Sequence, residues 1–544
     1  MGLPQHWIER VTRDLIEREE DVIIFSTAKT PSGPIHVGVG RELVYCSVFQ
    51  KLISEQGRKT RFLFFVDDLD ALKSYPSTVP KPFASHTQYL GQPMYHVPCP
   101  FDDCSSWAEH YADELIESFP AFGLLPEIIW AHDLYRTKEM KDTIRTALAR
   151  VEEIRGIMRR ITAPTLGGEK LRTFLEELQT WYPCLVICEK CGRIKDTKVI
   201  SYNPSKNTVT YVCLSCEHKG EVVIADGLVK LRWRIDWPAK WAIYKVSCEP
   251  AGKDHCVKGG AYDTGIEISS LIFGWKGPYR IPYEWILLGE RAMKTHKGIS
   301  FTFKEWLAIA PAEAFRYLIL REDPRKHITF LPERVPQLID EFERAEQIYF
   351  GLEEAATSDE GRNVKITYPL CLLDIPAQSI PPRLPYRFAI ILAQLQQLLG
   401  VERIMKKSQE VITKQYNVSS LSGHDMNELK QRIVQADYWV QHYAPAEMRF
   451  EVTPNLSQAV KATLEVTQKQ AARELAEILK SQEWSEKELQ YEIFELGKKL
   501  GIKQKIFDTL YLLFLGRKFG PRLAPFLLSL DKEFVLRRLA EASA

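Results

Sequence analysis

The chain has 544 residues, 45% of them hydrophobic, which is enough for about three or four domains with apolar cores of their own. Its 72 basic and 71 acidic side chains give a formal net charge of +1, so a polyanionic partner must be bound by local basic patches. The sequence contains neither a signal peptide nor an apolar run of membrane-spanning length. We therefore expect a cytoplasmic protein with reduced thiols that does not bind membranes.

A strand, a glycine-containing turn and a helix follow one another in the segment DVIIFSTAKTPSGPIHVGVGRELV, residues 21–44. Residues 22–25 predict a buried strand, and a helix is predicted from Gly40 onward. Such a turn lets a phosphate approach the backbone, and the helix N-terminus offers oriented amide groups and partial positive charge. The segment predicts a nucleotide-phosphate site with the candidate residues Pro31, Ser32, Gly33, His36 and Gly38.

A fully apolar strand at residues 62–66 is followed by an acidic cluster, Asp67, Asp68 and Asp70. In open α/β sheets, ligands bind just outside the carboxyl ends of the strands. Clustered carboxylates at that edge suit an amine-bearing substrate or Mg²⁺. The alternative is that one aspartate caps a helix and the others are solvated, and the sequence leaves both interpretations open.

Up to about residue 135, short apolar runs alternate with amphipathic helices, which is typical of a doubly wound α/β fold. The apolar runs are residues 22–25, 61–66 and 128–131. One long helix is predicted over residues 138–161, and we assign its apolar stripe to packing.

Two CxxC pairs lie within residues 181–225, where turns and short β-rich runs replace the α/β pattern. Four thiolates arranged in this way are the ligand set of a structural Zn²⁺, which would fold a knob too small to have its own core. The alternatives are free thiols or bound iron. The candidate ligands are Cys188, Cys191, Cys213 and Cys216.

The segment from Leu231 to Gly265 combines three tryptophans with a GKDH sequence. Trp233, Trp237 and Trp241 can form an apolar wall against which a cation can lie, although core packing is the default role of any tryptophan. GKDH puts a carboxylate in a glycine-bearing loop after a strand, an arrangement suited to ribose hydroxyls. The ligand-binding candidates of this loop are Gly252, Asp254, His255, Gly259 and Gly260.

A flexible cationic loop, ERAMKTHKGISFT, follows an apolar strand at residues 285–288. Lys294 and Lys297 in such a loop can neutralise charge that develops on a triphosphate, and a plain basic surface loop is the alternative. After residue 331 the pattern becomes helical, with a Pro-rich interruption at residues 380–382.

Together and in this order, these segments resemble the class I aminoacyl-tRNA synthetases, with their early HIGH tetrapeptide and late KMSKS loop. TPSGPIHVG, DDLDALKSYP, LRWRIDWPAKW and AGKDHCVKGGAYDTG resemble the blocks of the archaeal-type class I lysyl-tRNA synthetases. QADYWVQHYAP and LLFLGRKFGPRLAPF are similar to the C-terminal helical domain of that family. The resemblance thus covers most of the chain.

The resemblance implies a Rossmann-like parallel-sheet catalytic domain with a zinc-knuckle insertion and an all-α anticodon-binding domain. The implied boundaries are residues 1–180 and 226–330 for the two halves of the catalytic domain, 181–225 for the insertion and 331–544 for the helical domain. The implied activity is ATP-dependent formation of lysyl-adenylate from L-lysine, followed by transfer to tRNA(Lys). Mg²⁺ and structural Zn²⁺ are the expected metals, and a monomer is the expected state.

By the same resemblance, His36 and Gly38 correspond to the first and third residues of HIGH, which contact ATP phosphates. Asp254 corresponds to the ribose-binding carboxylate. Lys297 corresponds to the second lysine of KMSKS, and Lys294 adds a cation. The residues implied for the amino-acid pocket are Asp67, Asp68, Trp233, Trp237 and His255, and those for tRNA are Lys498, Lys499, Arg517, Lys518 and Arg522.

Two departures from the family pattern are Val39, at a position where Asn is usual, and the MKTHKG loop, where small residues are usual. The alternatives within synthetases are glutamyl or glutaminyl enzymes, which would need an Arg in the amino-acid pocket. The alternative outside catalysis is a zinc-containing RNA-binding protein descended from a synthetase, which the altered loop favours.

Overall fold

The computed structural model describes residues 5–101, 104–293, 300–373 and 379–544. The chain forms two compact units. Unit 1 contains Met1–Trp306, Phe315–Phe330 and Ala355–Asp374, and unit 2 contains Leu307–Ala314, Leu331–Glu354 and Ile375–Ala544. The candidate site lies within unit 1.

The strands are numbered in chain order through the described residues. They are β1 (Val22–Lys29), β2 (Lys59–Val66), β3 (Glu127–Trp130), β4 (Cys184–Val186), β5 (Thr197–Asn203), β6 (Thr208–Cys213), β7 (Lys219–Val223), β8 (Val229–Leu231), β9 (Cys248–Gly252), β10 (Tyr279–Tyr283), β11 (Ile286–Leu288), β12 (Arg291–Ala292) and β13 (Ile328–Phe330).

The α-helices that precede residue 330 belong to unit 1, and the last two of them extend into unit 2. They are α1 (Trp7–Ile16), α2 (Gly40–Glu55), α3 (Lys81–Ala84), α4 (Trp107–Ile116), α5 (Ala131–Leu134), α6 (Lys138–Ala149), α7 (Val151–Thr162), α8 (Gly168–Thr180), α9 (Trp233–Tyr244), α10 (Lys253–Cys256), α11 (Ala261–Leu271), α12 (Phe303–Leu307) and α13 (Ala312–Leu320).

The remaining α-helices follow residue 331, and all but α15 belong to unit 2. They are α14 (Val335–Tyr349), α15 (Ser358–Cys371), α16 (Tyr386–Gln394), α17 (Gln396–Leu399), α18 (Val401–Tyr416), α19 (Gly423–His442), α20 (Gln458–Thr463), α21 (Val466–Ser481), α22 (Glu486–Lys499), α23 (Lys505–Leu515), α24 (Leu523–Ser529) and α25 (Lys532–Ser543). None of the helices in the described ranges combines the length and apolarity that a membrane crossing needs.

The central sheet has five parallel strands in the order β10-β9-β1-β2-β3. Its middle strands are apolar along most of their length because helices cover both faces, as parallel sheets require. The chain runs outward from β1 through β2 to β3 and then returns to β9 on the other side of β1. The crevice between the carboxyl ends of β1 and β9 is therefore the topological switch point, where such sheets bind ligands.

The predicted fold class is confirmed: unit 1 is a doubly wound parallel sheet with helices, and unit 2 is helical. The one long helix predicted over residues 138–161 is wrong in one respect, because it is two helices, α6 and α7. The break is at Arg150, whose backbone leaves helical geometry with φ −107° and ψ 26°. The Arg150 guanidinium donates to the carbonyls of Leu271 and Ile272, which holds the chain at this corner.

The cysteine-containing segment is a separate antiparallel sheet, β5-β6-β7, reached through the antiparallel pair β4 and β8. Its apolar side chains, such as Val199, Val209 and Tyr211, do not form a core of their own. They belong to the same buried cluster as Ile24 of β1 and Leu63 of β2. The segment is therefore packed into unit 1 through a shared core.

The expectation that all thiols are reduced is corrected at one place, because Cys99 and Cys104 form a disulfide. These two residues had no assigned role in the sequence. Their sulfur atoms and a ring nitrogen of His110 lie within 4.8 Å of one another, but sulfur atoms joined in a disulfide are not thiolate ligands for a metal.

Candidate active site

A cavity of about 470 Å³ lies at the switch point of the central sheet. The carboxyl end of β1, the start of α2, the end of β9 and the face of α9 form its walls, and Met293 lies at its rim. Its lining contains acidic, aromatic and cationic side chains together, so one cavity can accept an anionic and a cationic portion of its ligand.

His36 stands in this cavity just before α2, at the N-terminal end of a 3₁₀ turn over Val37–Val39. Its Nδ1 accepts a hydrogen bond of 3.1 Å from the Gly38 backbone N–H. A Cβ added at Gly38 would lie 2.6 Å from this ring, so any other residue would force the ring of His36 to move. Burial, with the charge of Lys29 as a smaller cause, lowers the pKa of His36 to about 3. The ring is therefore neutral and keeps its Nε2–H free to donate to a phosphate oxygen.

Lys29 and Glu42 face the cavity beside His36, and neither was among the predicted site residues. Glu42 accepts hydrogen bonds from the hydroxyl groups of Thr27 and Tyr283. Burial raises the pKa of Glu42 and lowers the pKa of Lys29. The two charges therefore lie in a poorly solvated part of the cavity, where their effect on a ligand is strong.

The acidic cluster that follows β2 is compensated by buried lysines. Asp67 lines the cavity and bonds the ammonium of Lys240, which lies 2.9 Å from Asp236 as well. Tyr135 donates a hydrogen bond of 2.6 Å to Asp236. Burial raises the pKa of Asp67 to about 6 even though Lys240 opposes the rise. Asp67 is thus available to a ligand only as one member of a buried ionic network.

Asp68 does not line the cavity, in contrast to its predicted role in the amino-acid pocket. Its carboxylate bonds the ring of His132 and accepts the His132 backbone N–H at 3.0 Å. Asp70 bonds Lys230 at 2.9 Å. Because His132 and Lys230 already bond these carboxylates, the cluster does not offer the open set of oxygens that Mg²⁺ prefers.

Three tryptophans at helical spacing on α9 form the aromatic wall. The rings of Trp233 and Trp237 are stacked with centroids 5.3 Å apart, and Trp241 continues the row behind them. Trp237 and Trp241 donate their indole N–H groups to Glu249 at 2.7 and 2.6 Å, and Ser26 donates to the same carboxylate at 2.5 Å. The tryptophans therefore have two functions: they form a surface and they fix a buried acid.

Glu249 is only 4% exposed, yet it lines the cavity. It makes no ion pair within the residues that the structure describes. Burial raises its pKa to about 7, against the three hydrogen bonds that favour the carboxylate. A partly desolvated carboxylate without a protein cation is a strong acceptor for a ligand ammonium.

The GKDH segment lies beside this acid. Gly252, Asp254 and His255 line the cavity, but residues 253–256 form the short helix α10 and not the predicted loop. His255 packs its ring 5.1 Å from that of Trp233. The Asp254 side chain is exposed, so it can accept hydrogen bonds from ligand hydroxyls.

The other predicted ATP-binding residues differ in their placement. Ser32 lines the cavity, whereas Pro31, Gly33, Gly259 and Gly260 do not. The Gly259 N–H donates to Asp263, and a Cβ at Gly260 would lie 2.7 Å from two backbone carbonyl oxygens. These two glycines therefore shape the turn into α11.

Lys294 and Lys297 lie outside the described residues, and their predicted role stays a prediction. The chain on both sides of them is described. Met293 lines the cavity, and Thr302 forms a β-bridge with His36. The Val37 N–H donates to the Phe301 carbonyl at 2.8 Å.

The four predicted metal ligands come together in the cysteine-containing segment, residues 181–225. Their sulfur atoms all lie within 4.8 Å of one another, with 3.6 Å between Cys188 and Cys216 and 3.7 Å between Cys191 and Cys213. Tetrahedral zinc with bonds of about 2.3 Å requires sulfur atoms about 3.8 Å apart. The geometry therefore fits Zn²⁺ with four thiolates and leaves no position for a substrate.

The predicted tRNA-binding cations lie on unit 2. Lys498 and Lys499 are partly neutralised by Glu495 and Glu474. Arg517 lies 4.4 Å over the ring of Phe519, which is 51% exposed. Lys518 and Arg522 form no ion pair with any described residue, so they are the cations most available to a phosphate backbone.

Five residues of the site were not predicted from the sequence: Lys29, Glu42, Lys240, Glu249 and Tyr283. Lys29 is the last residue of β1, and Glu249 lies in β9, so position at the switch point was the signal that would have found them. Glu42, Lys240 and Tyr283 carry no local signal, because they reach the cavity only through tertiary packing.

Comparison with known proteins gives matches over nearly the whole chain. Residues 5–369 match the family described as tRNA synthetases class I (K), and residues 401–543 match an anticodon binding domain. The chain is 35% identical to a lysine–tRNA ligase of Methanocaldococcus jannaschii, over 98% of this chain and 99% of that protein. It is 32% identical to the lysine–tRNA ligase of Archaeoglobus fulgidus, over 99% of this chain and 100% of that protein.

Proposed function

The chain belongs to the class I lysyl-tRNA synthetase family, and we propose that it is a lysine–tRNA ligase, which forms lysyl-adenylate from L-lysine and ATP and transfers the lysyl group to tRNA(Lys). The observation that carries the proposal is the cavity at the switch point, which combines a phosphate-binding turn with a buried acid in an aromatic wall. These two parts match the two substrates of the activation step.

The phosphate chain of ATP binds at the turn before α2. His36 donates its Nε2–H to a phosphate oxygen, and the backbone around Gly38 approaches the nucleotide without a side chain. Asp254 accepts hydrogen bonds from the ribose hydroxyls. Lys294 and Lys297 are proposed from their sequence to neutralise pyrophosphate as it leaves. Magnesium enters with the phosphates of ATP.

Lysine binds in the acidic and aromatic part of the cavity. Glu249 accepts a hydrogen bond from an ammonium group of lysine, and the faces of Trp233 and Trp237 contact its methylene chain. Asp67 contributes negative charge through its network with Lys240. No arginine lines the cavity within the described residues, which argues against an acidic amino acid as substrate.

The chemistry needs positioning and charge stabilisation but no nucleophilic side chain. The lysine carboxylate attacks the α-phosphorus in line, the bond to the pyrophosphate oxygen breaks, and pyrophosphate leaves. A ribose hydroxyl of the tRNA terminus then attacks the lysyl carbonyl carbon, and AMP leaves. The neutral His36 stabilises phosphate charge by hydrogen bonding.

Zinc would be held by Cys188, Cys191, Cys213 and Cys216 and would supply structural cross-linking only, because four thiolates leave no position for a substrate. The domain assignment of this proposal places catalysis in residues 1–180 and 226–330, the zinc insertion in 181–225 and tRNA anticodon recognition in 331–544. A monomeric state and a cytoplasmic location stay predictions.

The test is ATP–pyrophosphate exchange across the standard amino acids, with and without total tRNA. Exchange that depends on lysine supports the proposal, and exchange that depends on glutamate or glutamine contradicts it. A noncatalytic RNA-binding protein, which the MKTHKG loop favours, would give no exchange with any amino acid but would retain tRNA binding.

A further inference from the structure

A lysine side chain in the cavity has no partner in the mechanism above. Lys29 ends β1, and its carbonyl accepts the Asp67 backbone N–H at 2.9 Å, which fixes the backbone at the switch point. Its side chain faces the cavity together with His36 and Glu42. It makes no ion pair and no side-chain hydrogen bond with any residue of the described ranges.

The ammonium group of Lys29 is not explained by a need to neutralise the charge of Glu42. The Glu42 carboxylate already accepts hydrogen bonds from the hydroxyls of Thr27 and Tyr283, and it does not pair directly with Lys29. A desolvated lysine without a contact ion is costly, because burial penalises the charged form. Such a group is compensated when an anionic ligand binds.

The cavity needs a cation for a polyphosphate, and the other candidates among its described residues do not supply one. His36 is neutral because burial and Lys29 lower its pKa to about 3. Lys240 is held between Asp67 and Asp236. Lys29 and Lys240 are the cationic side chains that line the described part of the cavity. This leaves Lys29 as the positive charge available to phosphate.

We propose that Lys29 is a further phosphate-binding residue of the activation step, which binds the phosphate chain of ATP with its ammonium group beside His36. The inference rests on the proposed function for the identity of the nucleotide. The ammonium would lie where negative charge develops on the phosphates as the lysine carboxylate attacks.

The test measures equilibrium binding of ATP and of adenosine, without lysine or tRNA, to the full chain and to Lys29→Met and Lys29→Arg. Methionine keeps the length of the side chain and removes its charge. We expect Lys29→Met to weaken ATP binding about tenfold or more, since a hydrogen bond to a charged group is lost, and to leave adenosine binding within about twofold. Lys29→Arg should restore most of the ATP affinity.

The matched control is Lys59→Met, an exposed lysine at the opposite end of the neighbouring strand β2. It should leave both affinities unchanged. An unchanged ATP affinity in Lys29→Met overturns the proposal, as does an equal loss for adenosine, which would mean general damage to the cavity. If the wild type binds ATP but shows no lysine-dependent exchange, the proposed function fails while the phosphate contact of Lys29 is still measured.

Discussion

Replacing Glu249 with glutamine is expected to weaken lysine binding more than any other conservative change in the cavity. The side chain is 4% exposed and is held by Ser26, Trp237 and Trp241, so its carboxylate is both desolvated and fixed. Loss of a hydrogen bond to a charged group costs about 1.5–3 kcal/mol. This corresponds to a KM for lysine about 10 to 150 times higher.

The same acid predicts a pH dependence. Because burial raises the pKa of Glu249 to about 7, the ionised fraction of the free enzyme increases from about one tenth at pH 6 to about nine tenths at pH 8. Lysine keeps its side-chain ammonium over this range. We expect kcat/KM for lysine to increase about tenfold from pH 6 to pH 8, and Glu249→Gln to retain only a rise centred near pH 6, which Asp67 causes.

The assay is ATP–pyrophosphate exchange at saturating ATP, with the KM for ATP measured in parallel. Glu267→Gln, a change on α11 away from this cavity, is the matched control and should behave as wild type. In Glu249→Gln the amide NH₂ group faces an indole N–H that a carboxylate oxygen accepted before, which can destabilise the fold. Thermal unfolding is therefore measured, so that a loss of lysine binding can be distinguished from a loss of stability. A KM for lysine within twofold of wild type, or an unchanged pH profile in Glu249→Gln, would refute the role of Glu249.

Four other variants are expected to act on three separate parts of the enzyme. His36→Ala and Lys297→Ala should each lower lysine-dependent exchange by about two to three orders of magnitude, the typical loss for one transition-state donor, and near-normal turnover of either variant would contradict the assignment. Cys213→Ser should abolish binding of one zinc per chain and lower the Tm; metal analysis showing full zinc content would count against the four-cysteine site. The double variant Lys518→Glu and Arg522→Glu should weaken tRNA binding and make it less dependent on salt concentration. Lysine-dependent exchange measured without tRNA should not change. An unchanged salt dependence of tRNA binding would exclude phosphate contacts of these two residues.

Local sequence patterns were sufficient to predict two strands of the central sheet, the turn with His36 and the cysteine cluster. The apolar runs that became β1 and β2 and the turn with His36 have patterns contained in about ten residues, so both strands and the turn between β1 and α2 could be predicted from them, whereas the order of the strands in the sheet could not. The CxxC pairs carry their own spacing, and Cys188 and Cys216 do come within 3.6 Å of each other.

Pairing between charges could not be predicted in this way. The sequence offered Asp67 and Asp68 as equivalent, but Lys240 lies 173 positions and His132 64 positions along the chain, and these partners decide which carboxylate faces the cavity. Glu249 has no motif around it that marks an acid in an apolar wall. Only the fold brings it to the indole N–H groups of α9.

The knob and the sheet that carries the cavity share one buried cluster, in which Val209 and Tyr211 are continuous with Ile24 and Leu63. If the four cysteines hold zinc, its loss is expected to loosen the packing beneath β1 and β2 as well as the cysteine-containing segment, so a metal remote from the reacting atoms would affect catalysis. For such an enzyme, the supply of metal during biosynthesis would determine how many molecules reach the active fold. Removal of the metal by a chelator would resemble partial unfolding more than inhibition.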